Sequence, residues 1–171
     1  SLSGTHCLAK KYLPNPYIRI AVAGTLVALL SFVVGSGDYN GAGMHIVEHA
    51  IAGHARPEAF FLKLVFTVIT MSCGYKGGEI VPTFCVGATF GCVMGGFLGL
   101  SPSLCAACGM VALFCGVTNC PIASLLISFE LFGYEAMPFF LISVAVSFLL
   151  SGTYGLYHEQ TIVYSKYKAK L

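Results

Sequence analysis

The stretch CGYKGGEIVPTF, Cys73 to Phe84, decides how the rest of the chain is read. It holds three glycines, one proline and two opposite charges, Lys76 and Glu79. An apolar run ends just before it and a longer one starts just after it. Between Glu79 and Glu130 there is no Asp, Glu, Lys, Arg or His. A proline near the start of an apolar run presets the first turn of a helix, where its missing N–H costs nothing. Gly77 and Gly78 let the backbone turn tightly into that helix. The first N–H groups of a helix have no intrahelical partner, and the dipole gives that end about half a positive charge. GGEIVP is therefore read as a helix entrance able to bind an anion.

The flanks give the setting. The 171 residues are 57% hydrophobic and 9% charged, with a mean hydropathy of +0.83. A soluble domain carries about 25% charged residues, so this chain is read as an integral, multi-pass membrane protein whose solvent is the lipid bilayer. Its net charge of +2 is too small to imply nucleic acid. Lys166, Lys168 and Lys170 place the C-terminal segment on the cytoplasmic side by the positive-inside bias. No signal peptide is evident in SLSGTHCLAKKYL, and the chain starts at Ser, as a piece of a longer protein would.

Glycine and proline punctuate the chain into short helices. The expected spans are Tyr17–Val34, Met44–Ala52, Pro57–Cys73, Val81–Leu98, Leu104–Gly116, Pro121–Phe132, Pro138–Leu150 and a polar last helix over Glu159–Lys170. Several are too short to cross about 30 Å of hydrocarbon squarely. Short apolar helices with such breaks are the mark of transporter and channel folds. Gly87, Gly91 and Gly95 recur at helical spacing, a pattern that lets two helices approach closely. The eight cysteines, including Cys105 and Cys108 in a CxxC, lie mostly in apolar runs and are read as packing residues. No metal or cofactor site is expected of them.

Glu79 has three readings. Ionised, its carboxylate competes with an anion for the helix entrance. Protonated, it carries a proton. As a plain N-terminal acid it only stabilises the helix. A charge at membrane depth costs about 2.5–3.5 kcal/mol on insertion scales, which by default marks a transport path.

Together these residues resemble the second half of a CLC-type chloride channel or anion/proton antiporter. The family's GGxFxP signature and the following GA-x-x-G correspond to Gly77, Gly78, Pro82, Gly87, Ala88 and Gly91. Downstream, Gly109, Met110, Ala112, Pro121 and Glu130 match the next helix pair. SGTYGLY resembles the entry to the family's last helix, which carries a Tyr aimed at the central anion; the matching residue is Tyr157. The resemblance covers most of the chain from about Tyr17.

It implies an all-α polytopic fold, the second inverted repeat, with short, broken and tilted helices. Residues 1–16 would be a connecting segment, 17–158 the anion-transport half-domain and 159–171 a cytoplasmic-side helix. The anion, chloride or fluoride, would be held by the backbone N–H groups of Glu79 and Ile80 and by the Tyr157 hydroxyl, with Glu79 also the proton-coupling candidate. The resemblance leaves channel and antiporter both open. Two departures bear on the ion: Ile80 stands where the family has Phe, and Glu79 resembles the fluoride/proton branch, which has Thr in place of Val81. The first half of the fold, with its gating glutamate, would be the missing partner, without which the chain cannot transport. A homodimer is implied, with Pro121–Phe132 and Pro138–Leu150 at its interface, in a plasma or inner membrane.

Two rivals come from other classes. One is a membrane subunit that only packs against partners. The other is a zinc hydrolase: His45, Glu48 and His49 form H-x-x-E-H, with two imidazoles one turn apart and a candidate general base. His54 or Glu130 would then supply the third ligand.

Overall fold

The computed structural model describes residues 16–35, 43–72, 78 and 80–152. Among these, all regular structure is helical: α1 (Pro16–Val34), α2 (Met44–Ile51), α3 (Ala59–Ser72), α4 (Ile80–Leu98), α5 (Pro102–Thr118), α6 (Pro121–Phe132) and α7 (Met137–Leu150). The expected last helix over 159–170 lies outside the described residues, as do Cys7 and Cys73.

The central unit is the α4–α5 pair, and glycine makes it possible. A Cβ added to Gly87 would stand 2.7 Å from the carbonyl oxygen of Gly109, and one on Gly91 would collide with the Cys105 carbonyl. One on Gly95 would lie 2.7 Å from Cys105 Cβ. The small-residue spacing read from the sequence is thus a backbone-to-backbone contact. α2 closes one side of the pair: Val47 and Ala50 are buried against Cys85, Ala88, Cys92, Ala106 and Met110. α7 and α6 close the other, with Val111, Cys115 and Val144 buried among Leu125, Phe132 and Phe148. α1 and α3 pack on each other through Ala59 and Phe66.

The α5–α7 seam also carries polar contacts. Ser147 donates to the Ala112 carbonyl at 2.6 Å, and Cys108 hydrogen-bonds Ser143. At its end the Asn119 amide donates to the Gly152 carbonyl at 3.3 Å, and Ser151 donates to Asn119 Oδ1 at 3.4 Å. Asn119 is also the one non-glycine residue with a left-handed backbone among those described, at φ 60°. Its N–H closes α5 on the Cys115 carbonyl at 2.8 Å, and Pro121 then starts α6.

Three boundaries differ from expectation by two residues and the others by one at most. α3 starts at Ala59 because Pro57 belongs to the preceding turn, where the Ala59 N–H bonds to the Arg56 carbonyl at 3.0 Å. α5 starts at Pro102, since that proline occupies N1 and does not break the chain there. It also runs two residues past Gly116, to Thr118. Only α4 among the described helices is long and apolar enough to span a bilayer by length and composition. The uninterrupted apolar part of α1 is Ile20–Val34, shorter than a full crossing.

Candidate functional site

The entrance to α4 is where sequence and structure meet. Ile80 is its first residue and Pro82 its third, so the missing proline N–H falls among the donors that no turn could pair. Gly78 is exposed, and nothing lies within 4 Å of the Cβ position it leaves open. Gly77, Glu79 and Tyr157 lie outside the described residues, as does Lys76.

Two contacts fix the first turns of α4. Phe84 packs on Phe114 of α5, with ring centroids 5.1 Å apart. Cys85, fully buried, meets Lys63 of α3 and Gly43, the residue before α2. The Lys63 ammonium is only 1% exposed and stands 2.9 Å from the Cβ position of Gly43; Cys85 Sγ is 3.7 Å from that same point. Gly43 has φ 73°, a conformation that suits glycine and leaves room for the ammonium. A buried lysine amine thus lies against the second turn of α4, whose dipole makes the entrance positive and favours negative charge there.

Lys63 was not singled out as a site residue by the sequence reading. The signal was available: it is the single ionisable residue in the helix AFFLKLVFTVITMS. An ionisable group in such a helix marks a functional position by default.

The zinc reading is not favoured. His45, His49 and His54 line one cavity, but no group of three His, Cys, Asp or Glu side chains among the described residues converges to hold a metal ion. Glu48 does not line that cavity, and Glu130 is exposed on α6. Among the described cysteines, Cys85, Cys92 and Cys115 are buried in the helix packing.

The sequence profile described as voltage gated chloride channel matches residues 2–152. The chain belongs to the CLC family. It is 33% identical to the chloride/fluoride channel protein of Pseudomonas syringae pv. tomato, over 99% of this chain and 39% of that protein. An uncharacterized protein of Methanocaldococcus jannaschii is 27% identical over 76% of this chain and 36% of its own length. The crystal structure of a CLC-type fluoride/proton antiporter superposes with a TM-score of 0.86 at 32% identity, covering 92% of this chain and 40% of that one. The chain therefore spans about two fifths of the length of these CLC relatives. The all-α, broken-helix architecture is the CLC fold, and CLC proteins are integral to membranes.

Proposed function

We propose that this chain forms one half of a CLC-type transport path for a small inorganic anion, and that the anion binds at the entrance to α4. The observation that carries the reading is the start of α4 at Ile80, behind Gly77 and Gly78, with the buried Lys63 side chain against its second turn. The backbone N–H groups of Glu79 and Ile80 and the Tyr157 hydroxyl supply the donors. Amide and phenol donors replace an anion's hydration shell without a full countercharge, so the ion can both enter and leave. As the second inverted repeat, the chain meets a first repeat at the site, and flux needs both halves.

Fluoride exchanged for protons is the finer reading. The acid at Glu79 favours it, and so do the names of two relatives, one a chloride/fluoride channel and one a fluoride/proton antiporter. Glu79 would rival the anion for the helix end when ionised and carry a proton when neutral. Chloride passage through a channel is the alternative. The exposed apolar residues Ile122 and Leu126 of α6 and Ile142 and Val146 of α7 fit a homodimer face within the membrane.

The test is anion release from liposomes holding the complete protein, followed with fluoride and chloride electrodes. Fluoride release that drives proton movement supports the reading. Equal chloride release without proton movement supports the channel, and no release of either anion overturns the transport assignment.

A further inference from the structure

An open cavity of about 580 Å³ lies at the C-terminal end of α2, and neither Ile80 nor any other residue of α4 lines it. Its construction follows from the local sequence. His45 and His49 are one turn apart on α2, hence on one face. The opposite face, Val47 and Ala50, is buried against α4 and α5. The helix ends in a Schellman turn: Gly53 has φ 89°, its N–H bonds to the Ala50 carbonyl at 3.1 Å, and the His54 N–H bonds to the His49 carbonyl at 2.9 Å. That turn folds His54 and then Arg56 back beside the two helical imidazoles, and all four line the cavity.

The chemistry of the lining is one-sided. Three imidazoles and one guanidinium supply N–H donors, and among the described residues no carboxylate lines the cavity. The imidazoles do not converge as metal ligands do. The volume is many times the ~30 Å³ share of one water, so a halide would not fill it. A guanidinium fork with flanking imidazole donors matches a phosphate, whose oxygens accept several bonds at once. Ile46, Ala55 and Ala59 give the rest of the wall an apolar surface. α3 starts on that wall at Ala59 and exposes the apolar Phe61 and Leu64, so His54 and Arg56 lie within ten residues of exposed apolar side chains.

We propose that His45, His49, His54 and Arg56 form a binding site for a phosphate ester, and that its source is the headgroup of an anionic phospholipid. The site would tie the α2–α3 corner to the bilayer surface.

The test uses the complete protein in a neutral detergent, with thermal unfolding as the readout. Short-chain phosphatidic acid is titrated beside short-chain phosphatidylcholine and inorganic phosphate. Phosphatidic acid is expected to raise the Tm with saturation, and phosphatidylcholine to leave it nearly unchanged. The double variant His54→Gln/Arg56→Gln should bind about tenfold more weakly, the loss expected for one or two charge-assisted hydrogen bonds. Both side chains are exposed, so the Tm without ligand should stay that of the parent. His45→Gln/His49→Gln provides a second, independent variant with the same expectation. Inorganic phosphate acting as strongly as phosphatidic acid would overturn the lipid source. A Tm that responds to neither probe, or a response unchanged in both double variants, would overturn the site.

Discussion

Gly87 and Gly109 face each other across the α4–α5 contact, and the carbonyl oxygen of each lies within 2.7 Å of where the other would carry a Cβ. A Cβ on Gly87 would stand 2.7 Å from the Gly109 carbonyl oxygen, and one on Gly109 would stand 2.5 Å from the Gly87 carbonyl oxygen. The obstacle on both sides is backbone, which cannot rotate away. The pair sets how deeply α4 seats on α5, and thereby where its entrance lies.

Gly87→Ala and Gly109→Ala should each therefore destabilise the protein by about 1–3 kcal/mol, the usual cost of overpacking a tight contact. Gly96 lies on the same helix with nothing within 4 Å of its Cβ position. Gly96→Ala should be neutral or stabilising by up to about 1 kcal/mol, since alanine favours the helix. Thermal unfolding in detergent distinguishes the three. Equal losses at Gly87 and Gly96 would contradict the close-contact reading.

Asn119 combines a left-handed backbone with side-chain bonds to Gly152 and Ser151. Asn119→Gly keeps the backbone free and loses only the amide, at about 0.5–1.5 kcal/mol. Asn119→Ala adds the strain of a left-handed alanine, a further ~1 kcal/mol or more. Unfolding midpoints should fall in the order parent, Gly, Ala. Gly152 also precedes Tyr157 by five residues, so Asn119→Gly is a useful partner for a Tyr157 variant in flux experiments.

Ser147→Ala removes a 2.6 Å bond to the Ala112 carbonyl. Interhelical hydrogen bonds in membrane proteins average about 0.6 kcal/mol, so a small loss of stability is expected. Ser147→Val should cost more, because Gly116 lies against the Ser147 hydroxyl, whose oxygen is 3.0 Å from its Cβ position. A valine better tolerated than alanine would contradict this packing.

The helix entrance was legible in the sequence because its determinants are local. Glycines ahead of an apolar run and Pro82 within it fix the start of α4 whatever surrounds them. Gly87, Gly91 and Gly95 were legible as a contact face for the same reason, although the facing residues Cys105 and Gly109 were not, since spacing on one helix does not name its partner. Lys63 was harder. Its role depends on Gly43 and Cys85, which are 20 and 22 residues away in the chain and are brought together only by packing. The H-x-x-E-H pattern carried only a rival reading: its spacing suits two ligands, but a third ligand is a tertiary property, and no group of three such side chains converges among the described residues. Pro57 misled in a small way, since a proline one turn from a helix serves a turn as well as an N1 position.

The account rests most on the acid at the entrance to α4, and one measurement addresses it directly. The complete protein, as parent and as Glu79→Gln, is reconstituted in liposomes, and proton movement driven by a fluoride gradient is recorded alongside fluoride release. The amide keeps the size and the backbone donors of the entrance but can neither ionise nor carry a proton. The expected result is fluoride release that persists while the proton movement is lost. Proton movement and fluoride release both unchanged in Glu79→Gln would contradict the account.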